Sequence, residues 1–125
     1  MKAVLDAGAF VAVEKRDRRI RALLRVLQEK EVDLVTSSAV VAQVWRDGRR
    51  QARLAQLLGC VGVRALAPAE DRRTGELLAQ TRGDDVVDGH LCLCVAHGDQ
   101  VFTSDRGDVE RLLEARGVDA TVVDV

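Results

Sequence analysis

The stretch DVVDGHLCLCVAHGDQVFTSDRGDVERLL, residues 85–113, reads as a helix, a strand and a second helix in succession, and it decides the fold. Asp85 and Asp88 open the helical run DVVDGHLCLCVAHG, while Asp105 closes the short strand-like segment ahead of a helix over Arg106 to Ala115. Near the start of the chain, Asp6 closes a similar segment, MKAVLD. In a parallel α/β sheet the strand C-termini and helix N-termini lie along one edge, so aspartates about 80 to 100 residues apart can meet there. Carboxylates brought together repel one another and stay ionised only beside a cation, and an oxygen-only set selects Mg²⁺ or Mn²⁺.

Outward from this stretch the chain alternates strands and helices. Lys2 to Leu5 is a predicted strand, followed by helices over Ala7 to Val13 and Arg19 to Glu29, the second with Ile20, Leu23, Leu24 and Leu27 at helical spacing. Asp33 to Thr36 is a second strand, Ser37 or Ser38 caps a helix through Trp45, and Asp47-Gly48 separates it from a helix over Arg49 to Leu58. Val61 to Leu66 is a third strand, and Pro68 suits the first turn of a helix running to about Thr81. Gly83 ends that segment and Asp84 or Asp85 caps the next. Val101 to Ser104 is a fourth strand, Asp105 stands at the cap of the following helix, Gly117 ends it, and Ala120 to Val125 is a fifth strand. Such alternation predicts an α/β fold, a three-layer α/β/α sandwich around a mainly parallel sheet of four to five strands.

Composition narrows the function classes. A chain of 125 residues with 47% hydrophobic and 31% charged content is expected to be one globular domain over 1–125, without linkers or repeats. Trp45, Phe10 and Phe102 are its only aromatic residues, so Val, Leu, Ala and Ile must build the core. A formal charge of −1 gives no global attraction to polyanions, so any nucleic acid must be held by a local patch. Asp6 and Glu14 interrupt the N-terminal apolar residues before they reach signal or membrane-span length, which predicts a cytoplasmic protein with no membrane partner. The odd cysteine count argues against a disulfide framework. On a helix Cys92 and Cys94 point about 200° apart, so they cannot share a metal, and all three, with Cys60, are expected to be buried and inert.

Four motifs in register carry a resemblance that spans essentially the whole chain. VLDAGAFVAVEK, SSAVVAQVWRDGRRQARLAQLL, DVVDGHLCLCVAH and VFTSDRGDVERLL resemble, in that order, a PIN domain of the VapC toxin type from bacterial toxin–antitoxin pairs. The resemblance implies a Mg²⁺- or Mn²⁺-dependent endoribonuclease that hydrolyses RNA phosphodiesters, commonly a homodimer, inhibited by a cognate antitoxin protein. It also implies that Asp6, Asp88 and Asp105 hold the metal, with Asp85, one turn before Asp88, as the alternative helix-borne ligand. Asp108, three residues beyond Asp105, can join the set.

One position departs from the family. Where it usually carries a glutamate, this chain has Gln43, which brings no charge and cannot act as a base. Glu14 on the first helix is the candidate replacement, orienting the nucleophile alone or with Asp85; otherwise the chain is a catalytically weak module that binds RNA or an antitoxin. A third class, an α/β domain for a phosphorylated small molecule, is opposed by the lack of a glycine-rich phosphate loop. Whether one ion or two would serve stays open.

Blander readings stand beside these. Asp85 and Asp105 occupy positions where a capping aspartate is ordinary. Arg46, Arg49, Arg50 and Arg53 form a cationic face for RNA phosphates or acidic antitoxin groups if 45–58 is helical, or else a solvated surface paired with Asp47. Arg16, Arg18, Arg19 and Arg21 form a second run of ordinary solubilising charge. His90 is expected to be packed or hydrogen-bonded rather than a ligand, His97 to end a helix, and Trp45 either to pack or to stack on a base.

Overall fold

The computed structural model describes residues 1–125. Its elements are β1 (Lys2–Leu5), α1 (Ala7–Glu14), α2 (Arg18–Glu29), β2 (Asp33–Ser37), α3 (Ser38–Val44), α4 (Ala52–Leu58), β3 (Val61–Arg64), α5 (Pro68–Thr81), α6 (Val86–Leu93), β4 (Gln100–Thr103), α7 (Arg106–Arg116) and β5 (Thr121–Asp124). The five strands form one sheet in the order β3-β2-β1-β4-β5, with every neighbouring pair parallel. This is the expected three-layer α/β/α architecture.

Topology places the helices. From β1 the chain steps to β2 and then β3 in one direction, and from β3 it crosses back to β4 and then β5 in the other. Right-handed crossovers therefore put α1 to α4 on one face and α5 to α7 on the opposite face. Most helix contacts follow this division: α1 packs on α2, α3 and α4, and α5, α6 and α7 pack on one another, while α3 and α6 also meet across it. The strand order reverses between β1 and β4, and ligands of such sheets bind beyond the strand C-termini at that point.

Ala3, Val4, Leu5, Val101 and Phe102 fill the two central strands, and with Phe10, Ile20, Leu54, Leu91 and Val109 from the helices they are almost fully shielded from water. Glycine permits two close approaches. A Cβ on Gly8 would lie 2.6 Å from Ser104 Oγ, so α1 can rest against the end of β4. A Cβ on Gly89 would lie 3.0 Å from Thr74 Cγ2 and 3.1 Å from Leu78 Cγ, so α6 seats directly on α5.

Several local expectations are corrected. α4 begins at Ala52 rather than Arg49 because the Gln51 amide organises the preceding residues as a turn: its Oε1 accepts from Arg46 N (2.8 Å) and Asp47 N (2.9 Å), and its Nε2 donates to Val44 O (2.9 Å). Asp47 Oδ1 adds an acceptor for Arg49 N at 3.0 Å, the side-chain-to-backbone turn that competes with helix. β3 stops at Arg64, before Leu66. Cys60 is exposed, whereas Cys92 and Cys94 are buried, and burial pushes the Cys94 thiol up to about 11. His97 lies beyond α6, and its Nδ1 accepts from Asp119 N at 3.1 Å instead of ending the helix. Trp45 is 39% exposed and covers Gly48, where a Cβ would meet the indole at 2.7 Å. No helix is long and apolar enough to cross a membrane.

A buried carboxylate fixes the start of the central strand. Asp99 accepts from Lys2 N (2.9 Å), Lys2 Nζ (2.5 Å) and Ala96 N (2.7 Å), which ties β1 to the turn before β4. Burial alone would raise its pKa, but the Lys2 and Ala96 hydrogen bonds outweigh it and hold the carboxyl below its ordinary range. Asp99→Ala would leave those donors unsatisfied, and urea unfolding should report a loss of about 3 kcal/mol. A loss under about 1 kcal/mol would mean that water replaces the carboxylate without cost.

Candidate metal centre

β1 and β4 deliver the first two acidic residues. Their register pairs Leu5 with Phe102, so the next residues, Asp6 and Thr103, face each other where the strands end. Asp6 N donates to Phe102 O at 2.9 Å, continuing the ladder one step beyond β1. The Asp6 carboxylate is buried; Oδ1 accepts from Ala7 N at 2.7 Å and Oδ2 from Thr103 Oγ1 at 2.7 Å. Thr103 Oγ1 also accepts from Asp105 N at 2.9 Å, so one hydroxyl fixes the orientation of Asp6 and the course of the chain at Asp105.

That arrangement corrects one capping expectation and supports another. Asp105 stands at the N-cap of α7 but makes no side-chain cap bond, which leaves its exposed carboxylate free for another role. Asp85 does cap α6, its Oδ1 accepting from Asp88 N at 3.1 Å. Asp88 then points inward on the first turn of α6, which Gly89 seats against α5.

Asp88 is 6% exposed, and its Oδ2 is buried with no hydrogen-bond partner. A buried carboxylate oxygen without a donor is costly, and such an orphan calls for an explanation. Its nearest company is acidic: ligand oxygens of Asp88, Asp105 and Asp108 lie within 4.8 Å of one another. Burial, followed by the charges of Asp6, Asp85 and Asp105, pushes the Asp88 carboxyl up to about 7. Burial likewise raises Asp6, opposed by the hydrogen bonds from Thr103 and Ala7 and reinforced by Asp105 and Asp85. A cavity of about 230 Å³ opens beside Asp88 and Asp108 and is lined also by Asp84 and Asp85 with Arg82 and Arg111. An orphaned inward oxygen and all-carboxylate donors suit a hard divalent cation.

The converging set therefore differs in emphasis from the sequence expectation. Asp108, on the first turn of α7, reaches the cluster with Asp88 and Asp105, while Asp6 acts on Asp88 through its charge. Glu14 is not among these groups. It ends α1, accepts from Gln51 Nε2 at 3.1 Å and lines a separate cavity of about 350 Å³ with Arg50 and Arg53. Gln43 is exposed on α3. The arginines do not form one helix face: Arg46 donates to Ala42 O (2.9 Å) and Trp45 O (2.8 Å), Arg49 and Arg50 sit in the turn, and Arg53 is on α4.

Sequence reasoning missed a buried polar relay beneath the site. His90 is fully buried; its Nδ1 lies 2.6 Å from Ser37 Oγ, and its Nε2 lies 2.6 Å from Glu70 Oε2. Glu70 Oε1 also takes Arg64 Nε at 2.5 Å, and the same guanidinium donates to Leu93 O at 3.0 Å. Because the Glu70 carboxylate can only accept, Nε2 carries a proton and donates to it, while Ser37 Oγ, which accepts from Ala39 N at 3.0 Å, bonds the other ring nitrogen. Every member is satisfied. The relay links α3, α5 and α6, holding α6 in the position from which Asp88 projects.

No protein-family model matches the chain, and no curated protein matches it in sequence. Among solved structures it is similar to a chain in the crystal structure of VapBC2 from Rickettsia felis bound to a DNA fragment from their promoter. The TM-score is 0.72 at 17% identity, covering 99% of this chain and 100% of that one. What the two share is the fold.

Proposed function

We propose that this chain is a metal-dependent endoribonuclease of the VapC type that hydrolyses RNA phosphodiester bonds, acts as a toxin in the cytoplasm and is neutralised by a cognate antitoxin. The observation that carries this reading is that Asp88, whose carboxylate lies within 4.8 Å of those of Asp105 and Asp108, keeps its Oδ2 buried and without a hydrogen-bond partner. Likeness to a chain of a VapBC2 complex supports the antitoxin as partner. Asp88, Asp105 and Asp108 would hold Mg²⁺ or Mn²⁺, with Asp6 beside them. Such an ion, once bound, supplies Lewis-acid chemistry, lowering the pKa of a water for attack on phosphorus and neutralising charge on the leaving oxygen.

The chain's own residues do the rest. Thr103 keeps Asp6 oriented, and Asp88 gives up its proton as the site is occupied. Asp85 is half committed to its cap and keeps one oxygen for a water or an ion. Asp108 supplies the charge that Gln43 lacks, so Glu14 need not. RNA phosphates would be gripped by Arg49, Arg50 and Arg53, with Arg46 shaping the turn, in a homodimeric protein.

Millimolar Mn²⁺ should stabilise the fold, by about 2.7 kcal/mol when it stands at 100 times its dissociation constant. Purified protein with Mn²⁺ should cleave RNA, and Asp6→Asn or Asp105→Asn should lower the rate at least about 100-fold with the circular dichroism unchanged. In bacteria the wild-type chain should arrest growth and these variants should not. RNA binding and toxicity retained by wild type and variants alike, without cleavage, would identify a binding module instead.

A further inference from the structure

Arg111, midway along α7, sends its side chain back towards the start of its helix and into the acidic cavity. It lies one turn beyond Asp108 on α7, with Nη2 against Asp108 Oδ1, and its Nη1 is 4.0 Å from where a Cβ on Gly107 would stand. The side chain is thus folded back over the first turn, as long helical side chains tend to lie. There the helix carries its partial positive charge, which disfavours a cation. What holds the guanidinium is acid: Asp108, with Asp84, Asp85 and Asp88 lining the same cavity. Arg106 is drawn elsewhere, to Asp124 and Glu110, and Arg82, which also lines the cavity, makes no ion pair, so Arg111 is the cation paired to this cluster.

Asp108 is thereby claimed twice. Its carboxylate belongs to the trio whose oxygens lie within 4.8 Å of one another, and it is also Arg111's only ion-pair partner. Asp88, which lines this cavity, independently keeps a buried Oδ2 with no partner, and such an orphan calls for a ligand. The Arg111 and Asp108 side chains are 63% and 45% exposed, and ion pairs this open contribute at most about 1 kcal/mol, so a divalent cation can displace one.

We propose that Arg111 is the resident counter-ion of this cavity. It neutralises Asp108 while no divalent cation is bound, yields that carboxylate when one binds, and then presents its guanidinium at the cavity mouth to a phosphate of single-stranded RNA. A freed guanidinium suits this role because its planar fork takes phosphate oxygens in pairs. The displacement rests on the metal reading above, and the phosphate contact rests also on the ribonuclease reading.

The test uses the intact chain, wild type, Arg111→Gln and Arg111→Lys, with circular dichroism to show that each is folded. Mn²⁺ titrated calorimetrically without nucleic acid should bind Arg111→Gln about three- to five-fold more tightly than wild type, and Arg111→Lys close to wild type. With Ca²⁺ in place of Mn²⁺, fluorescence anisotropy of a labelled 12-nucleotide RNA should show Arg111→Gln binding about five-fold more weakly. Equal Mn²⁺ affinity in wild type and Arg111→Gln overturns the counter-ion role. Tighter Mn²⁺ binding with unchanged RNA affinity overturns the phosphate role alone. The Mn²⁺ difference without RNA cleavage by either protein supports displacement while refuting the ribonuclease reading, and no Mn²⁺ binding by any of the three refutes the metal reading and this proposal together.

Discussion

Asp88→Asn is expected to raise the melting temperature of the metal-free protein at pH 8 by about 6 °C and to abolish the stabilisation that Mn²⁺ gives the wild type. The Asp88 carboxyl is pushed up to about 7 by burial and by the charges of Asp6, Asp85 and Asp105, from an ordinary value of 3.8. A carboxyl raised in the folded state binds its proton more tightly there than in the unfolded chain. Its contribution is therefore fully present below about pH 4, is lost as pH rises towards 7, and stays lost above. At about 1.4 kcal/mol per unit the whole shift would be worth about 4 kcal/mol. Sharing of the charge with Asp6 and Asp105, and solvent access through the cavity mouth, reduce it to about 2 kcal/mol, or about 6 °C in a chain of this size.

Asparagine keeps the shape and removes the charge, so the variant should lack this fall with pH. The wild type should gain from Mn²⁺ more strongly at pH 8 than at pH 5.5, because binding must expel the proton. Melting curves of both proteins at pH 5.5 and 8, with EDTA or Mn²⁺, measure all of this. A variant less stable than the metal-free wild type at pH 8 would show that Asp88 is held by a partner other than a cation.

His90→Ala should be strongly damaging, lowering stability by about 3 kcal/mol and the melting temperature by about 10 °C. It opens a cavity at a fully buried position and removes a partner from both Ser37 and Glu70. Glu70→Ala should cost a similar amount, since it strands both Arg64 and His90. The double variant should cost well under the sum, because the two side chains belong to one relay. Glu70→Gln is milder: the amide can accept from Arg64 and donate to His90 Nε2 if the imidazole proton moves to Nδ1 and Ser37 turns its hydroxyl. Urea unfolding of the four variants gives the coupling, and additive losses would mean that the contacts act separately.

This relay also marks where sequence reading runs out. Ser37, Glu70 and His90 lie on α3's cap, α5 and α6, 20 and 53 residues apart in their contacts, and no periodicity indicates which helix faces meet. The alternation of strands and helices and the acidic edge were legible because β-branched runs ending in aspartate need only the rules of parallel sheets. Asp6, Asp85, Asp88 and Asp105 were placed on that edge for that reason, whereas the strand order came only from the structure. Asp105 could not be told from a capping residue, since the choice depends on Thr103 taking its amide. Glu14 was assigned to the acidic site as a charge on the helix that follows Asp6, whereas its side chain meets Gln51 and lines a different cavity. Arg46 to Arg50 failed as a helix face because one amide, Gln51, bonds three backbone groups of that turn.

The strand order has a consequence for biosynthesis. β1 is made first, but its neighbour on the acidic side is β4, and the carboxylates that meet over that seam run from residue 6 to residue 108. A ribosome that has released β1 to β3 with their helices has exposed one half of a sheet whose central strand still lacks a partner. Only when α7 emerges do Asp105 and Asp108 join Asp88. A translating cell would therefore meet the assembled acidic centre only after residue 108 has left the ribosome, however early β1 and Asp6 were made.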